Sequence, residues 1–250
     1  KKLNIRTPAN LDTDEEYNFF KGLKPDIVIV IAYGKIIPNR FLSLSRHGFI
    51  NVHASLLPKW RGAAPIQRSI MNLDNETGIS IMKIVEDLDA GPIMQQNKIK
   101  ISENIDALTL SKVLSQLGAK SIIESIRKIE KGEAKFQEQN HSEATYAKKI
   151  SKTEGKIHWD ESARKTLAKI NGLNPNPGAW FEHKSQRYKI WKAKIVNQNG
   201  DPGKILDNKL TIACNSQAIK ILEIQKEGKS KQQTEQFLFG NKIKQGENIA

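Results

Sequence analysis

Five consecutive β-branched residues, Ile27, Val28, Ile29, Val30 and Ile31, constrain the fold of this 250-residue chain more than any other feature. Such a run, with no polar alternation, is the pattern of a strand covered on both faces, as in a parallel sheet between helices. A strand is therefore expected over 26–31, and a short helix over 36–43 leads to a second strand over 48–53. Pro65 suits a first helical turn, with a helix over 66–73 behind it. Residues 78–85 and 93–101 read as a strand and its hairpin partner. From 106 to 131, Leu110, Val113, Leu114, Leu117, Ile122, Ile126 and Ile129 keep near-helical spacing, with Gly118 as a break between two helices. Strands alternating with helices define an open α/β sheet, and we take 1–134 as one domain.

The apolar periodicity disappears after Gly132, and 135–149 reads as a linker. Beyond it the pattern changes to short strands at 156–159, 179–182, 187–196, 204–206, 209–214 and 218–225, with one helix near 161–171. Asn174-Pro175-Asn176-Pro177-Gly178 and Asn199-Gly200-Asp201-Pro202-Gly203 are strong turn signals. Many short strands with regular turns suggest a small barrel over 150–250.

The net charge of +13 is unevenly placed. Through Ala134 there are 19 Lys and Arg against 15 Asp and Glu, and from Lys135 onward 21 against 12. That excess in the smaller second half suits a polyanionic partner, although a well-solvated lysine-rich surface accounts for it equally. The single cysteine, Cys214, excludes an internal disulfide and a multi-cysteine metal site, and agrees with a reducing cytosol. No apolar run approaches the ~20 residues of a membrane span. The opening Lys1-Lys2-Leu3 is read as lacking an amino-terminal piece.

The chemistry concentrates in Asn51-Val52-His53-Ala54-Ser55-Leu56-Leu57-Pro58 and the Lys59 to Pro65 segment that follows. On a strand, the period of two puts Asn51, His53 and Ser55 on one face and Ile50 and Val52 on the other. An imidazole moves protons, and an amide donor holds a developing oxyanion. Asp89 sits downstream in a tight turn, Leu88-Asp89-Ala90-Gly91-Pro92. A carboxylate beside an imidazole fixes its orientation and favours its charged form. Taken singly, each has a plainer reading: a structural histidine, a strand-end asparagine, a turn aspartate. Together they suit an amine attacking a carbonyl. The sequence holds no Gly-rich phosphate loop, no GxGxxG and no serine nucleophile elbow.

Asn51 to Pro58, followed by Leu88-Asp89-Ala90-Gly91, resembles the signature pair of the 10-formyltetrahydrofolate-dependent formyltransferases. Arg61-Gly62-Ala63-Ala64-Pro65-Ile66-Gln67-Arg68 is similar to the branch of that family acting on methionyl-tRNA. The likeness continues through Tyr146 to Lys152, Ile157-His158-Trp159, Asn174 to Trp180 and Ile190 to Ala193, so it spans nearly the whole chain. It implies a Rossmann-like α/β domain with an open, mostly parallel sheet, followed by an OB-like barrel. It gives catalytic roles to Asn51, His53 and Asp89, and folate contact to Ser55, Leu56, Leu57 and Pro58. The co-substrate is then 10-formyltetrahydrofolate, the partner initiator Met-tRNA, and no metal is required. Family members carry further strands and a basic loop ahead of the counterpart of Leu3. Lys148, Lys149 and Lys152 are the candidate phosphate contacts, while Trp159, Trp180 and Trp191 are expected in the barrel core. A cytoplasmic monomer is expected. Two other readings stay open: a formyltransferase for an amino sugar nucleotide, which needs no basic barrel, and a non-catalytic basic RNA-binding protein.

Overall fold

The computed structural model describes residues 5–241 and 243–249. They form two compact units, neither continuous in sequence. The first holds the described residues up to Ala63, with Gly78–Lys98 and Leu114–Ala147; the second holds Ala64–Thr77, Ile99–Val113 and the chain from Lys148 onward.

Helix α1 (Asp14–Leu23) starts at Thr13, whose side chain accepts the Glu16 N–H, and three acidic residues favour its first turn. After it come β1 (Val28–Ile31), α2 (Asn39–Leu42), β2 (Phe49–His53), β3 (Arg61–Gly62), α3 (Pro65–Met71), β4 (Glu76–Lys83), β5 (Ile93–Lys100), α4 (Ala107–Glu130) and β6 (Tyr146–Ala147). The sheet order is β1-β2-β4-β5. It is a mixed sheet: β1 runs parallel to β2, but β2 and β4 are antiparallel.

Three expectations change here. The β-branched run forms its strand, parallel to β2, but it is not buried throughout: Val28, Ile29 and Val30 are half-buried and Ile31 is 59% exposed. Gly118 does not break the long helix. A Cβ there would lie 2.9 Å from Val52 Cγ1, so the glycine lets α4 approach β2 closely. The 135–149 stretch is no free linker. Gln137 bridges Ile93, and β6 pairs in parallel with β3, so the segment through Ala147 is built into the first unit.

Val52 thus faces α4, and alternation turns Asn51 and His53 to the other side. On that side Phe49 stacks on Phe20 of α1 at 5.8 Å, and Phe20 meets Phe41 of α2 edge-on. Helices therefore cover both faces of β2 in the first unit.

The second unit contains α5 (Ala163–Gly172), β7 (Ala179–His183), β8 (Gln186–Val196), β9 (Thr211–Ala213), β10 (Ala218–Lys226), β11 (Gln232–Gln233) and α6 (Thr234–Gly240). Its five strands form an antiparallel sheet, with β8 between β7 and β10, and with β9 and β11 both on β10. The strand expected at 156–159 reduces to one isolated bridge pair, and that at 204–206 to two. Leu167 and Ile170 of α5 share one buried core with Phe181, Ile190, Ile212 and Ile221 of the sheet. Trp159 joins this core, as does Cys214, whose thiol burial pushes up to about 11. Among the described residues no helix is long and apolar enough to cross a membrane.

Candidate active site

His53 ends β2 with its side chain only 6% exposed. Its Nε2 lies 2.9 Å from the Trp60 carbonyl oxygen. A carbonyl only accepts, so Nε2 carries the proton and the neutral ring keeps its lone pair on Nδ1. Nδ1 faces Asp89 Oδ2 at 3.6 Å, too long for a hydrogen bond but within reach of an ion pair when the ring is protonated. The same Oδ2 accepts the Gly62 N–H at 2.8 Å. One three-residue stretch therefore serves both side chains: Trp60 holds the imidazole by its carbonyl, and Gly62 holds the carboxylate by its amide.

This stretch and the Asp89 turn have left-handed backbones. Trp60 has φ +63°, Asp89 +49° and Gly62 +115°. Asp tolerates that region, but for a tryptophan it is an outlier that surrounding contacts must hold. Trp60 N–H donates to Thr145 Oγ1 at 2.9 Å, and the neighbouring Arg61 N–H donates to the Thr145 carbonyl at 2.8 Å. At Gly62 a Cβ would stand 2.9 Å from the Ala147 carbonyl oxygen, so only glycine fits beside β6.

Asn51 lies half-buried on the His53 face, about 6–7 Å back along the strand. Among the described residues nothing takes up its side-chain amide in a hydrogen bond. Asn51 and His53 thus leave one amide donor and the imidazole Nδ1 without a hydrogen-bond partner among the described residues, with the Asp89 carboxylate 3.6 Å from that nitrogen.

The bend at 55–58 is fastened from inside the first unit. Ser55 Oγ donates to the Lys59 carbonyl at 2.6 Å, and Ser80 Oγ donates to the Ser55 carbonyl at 2.7 Å. Leu57 N–H donates to Ser80 Oγ at 3.0 Å, and Gln96 Nε2 donates to the Leu57 carbonyl at 2.8 Å. The hydroxyl of fully buried Ser55 is therefore spent on the bend, while Leu56 and Pro58 remain half-buried. Ser80 and Gln96 were not foreseen. Their only sequence signal is a polar residue inside a strand pattern.

Lys148, Lys149 and Lys152 are exposed in the second unit. There a groove of about 350 Å³ is lined by Lys152, Trp180, Arg187, Lys189 and Gln225. The Arg187 guanidinium sits 3.9 Å from the Trp180 ring centroid, and Lys189 Nζ 4.2 Å from that of Trp191. Burial lowers the Lys189 ammonium below its ordinary value. Of the three tryptophans expected in a core, only Trp159 is buried; Trp180 and Trp191 are half-buried beneath cations. Among the described residues no three His, Cys, Asp or Glu side chains gather as a metal site.

Residues 3–126 match the formyl transferase family model, and residues 149–242 match the model of the formyl transferase C-terminal domain. The chain belongs to the formyl transferase family. Within it, the methionyl-tRNA formyltransferase of Pelagibacter ubique (strain HTCC1062) is 51% identical over 249 residues, spanning 99% of this chain and 80% of that protein. The methionyl-tRNA formyltransferase of Bradyrhizobium diazoefficiens is 40% identical over 246 residues, spanning 97% and 79%. Among solved structures, HypX from Aquifex aeolicus in complex with tetrahydrofolic acid superposes with a TM-score of 0.71 at 17% identity. That match covers 92% of this chain and 42% of HypX. The sugar 3N-formyl transferase WlaRD gives 0.67 at 20% identity, over 84% of this chain and 77% of its own. At these identities the likeness is one of fold.

Proposed function

We propose that this chain transfers the formyl group of 10-formyltetrahydrofolate to the α-amino group of methionine on initiator tRNA. The observation that carries this reading is the 51% identity to a methionyl-tRNA formyltransferase along nearly the whole chain. Neither the amino-sugar-nucleotide reading nor the non-catalytic RNA-binding reading has comparable support.

Asn51, His53 and Asp89 are assigned the catalytic work. The amine nitrogen bonds to the formyl carbon, and the carbon's bond to N10 of the folate then breaks. Asn51 and protonated His53 meet the oxyanion of the tetrahedral intermediate, the imidazole through Nδ1–H because Nε2–H is held by Trp60. Asp89 orients the ring, balances its charge and helps pass the amine's proton toward N10, directly or through water. Leu56 and Pro58 are assigned to folate contact, on a bend that Ser55 and Leu57 fix.

The second unit is assigned to tRNA, as an OB-like barrel over 150–250 that follows the catalytic domain and the 135–149 connection. Lys148, Lys149 and Lys152 contact phosphates, joined by Arg187 in the groove. The protein acts as a monomer in the cytoplasm. The test compares formylation of Met-tRNA with that of a nucleotide-linked amino sugar. Turnover of Met-tRNA, reduced about 10²–10³-fold in Asn51→Ala with folate binding kept, is expected. Turnover of the amino sugar instead, or tRNA binding without turnover, would defeat the proposal.

A further inference from the structure

We propose that Gln139 is a positioning residue for the formyl-transfer site, setting the separation of His53 and Asp89 through buried hydrogen bonds; this rests on the function proposed above. Gln139 is 6% exposed. Its Oε1 accepts from Arg61 Nε at 3.1 Å and from Arg61 Nη2 at 2.8 Å. Its Nε2 donates to the Asp89 carbonyl at 2.9 Å and to the Gly91 carbonyl at 2.7 Å. Both acceptor sites and both donors of the amide are used. The orientation is unambiguous, since a guanidinium only donates and carbonyls only accept.

The connectivity gives this residue its role. Arg61, 4% exposed, lies between Trp60, whose carbonyl holds His53, and Gly62, whose amide holds Asp89. The two carbonyls belong to the turn that carries Asp89 itself. One side chain therefore ties the stretch that fixes the imidazole to the turn that supplies the carboxylate, and it caps the left-handed Asp89 on its carbonyl side. The 3.6 Å gap between Nδ1 and Oδ2 is set by these two anchors moving as one body. A misplacement of about 1 Å in such a pair costs on the order of 10²-fold in rate.

Two substitutions separate positioning from plain anchorage. Gln139→Glu keeps an acceptor for Arg61 but loses both donors and sets a carboxylate against two carbonyls. Gln139→Met keeps the volume and loses all four bonds. Turnover is normalised to folate-binding sites, so that only folded protein counts. We expect kcat to fall about 10–100-fold in both, with KM for Met-tRNA within about threefold of the parent. If Gln139 merely anchored Arg61, Gln139→Glu would keep the parent kcat, and that result overturns the proposal. The His53 ring nitrogen chemical shifts give a second readout, moving in neutral Gln139→Met whether or not the parent formylates Met-tRNA. Moved shifts without Met-tRNA turnover would sink the substrate assignment alone; unmoved shifts would sink the positioning role.

Discussion

Asp89→Asn is the sharpest single perturbation of this site, because geometry survives while charge does not. The Gly62 N–H needs an acceptor, so the asparagine oxygen takes the place of Oδ2 and still faces His53 Nδ1. What disappears is a full negative charge 3.6 Å from the imidazole, between side chains 6% and 17% exposed. At an effective dielectric constant of about 20, that charge interacts with an imidazolium by about 4–5 kcal/mol. The amide dipole keeps part of this, leaving a loss of about 3 kcal/mol in the transition state, or about 10²-fold in rate. Stability changes less. A charged acceptor for the Gly62 N–H becomes a neutral one, at a cost of about 1 kcal/mol. Single-turnover formylation of Met-tRNA, with enzyme in excess, reads the chemical step directly. A rate within threefold of the parent, in a protein that binds folate normally, would refute the electrostatic role of Asp89 and leave it a turn residue.

Two further outcomes follow from the second unit. Neutralising the exposed Lys148, Lys149 and Lys152 together lowers the slope of log affinity for tRNA against log salt by about one unit per phosphate contact. An unchanged slope in a filter-binding series removes them from the interface. Hydrogen bonding to Arg68 holds the Glu154 carboxyl below the usual carboxylate range, so its roughly 0.5–1 kcal/mol is whole above the unfolded value of about 4.3 and lost as pH falls through the lower folded value. Urea denaturation should find Glu154→Gln less stable than the parent at pH 7 and the gap closing as pH falls below the unfolded value; a constant gap contradicts the pairing.

The strand-borne part of the site was legible because alternation is a property of sequence. Asn51 and His53 share a face once β2 is a strand, whatever surrounds it. The same rule, applied more strictly, would have corrected one tryptophan. Along β7 the burial alternates, with Ala179, Phe181 and His183 inward, which leaves Trp180 facing out beneath Arg187. Other features depend on partners far along the chain. Gly118 scores as a helix breaker locally, and only the approach of Val52 explains its place in an unbroken helix.

The backbone half of the site is of another kind. Trp60 contributes a carbonyl and Gly62 an amide, and the aim of each depends on left-handed dihedrals that residue type alone does not announce. Holding those dihedrals requires hydrogen-bonding partners for loop backbone, and polar side chains and a short strand supply them where apolar periodicity cannot. That is why 137–147 reads as featureless in sequence yet is ordered: Gln139 meets two carbonyls, Thr145 meets two amides, and Ala147 accepts from Ala63. A segment whose partners are main-chain atoms leaves no hydrophobic pattern. The side chains assigned to the reacting carbon are therefore written in the strand and the turn, and the accuracy of their placement is written in the stretch that looked least informative.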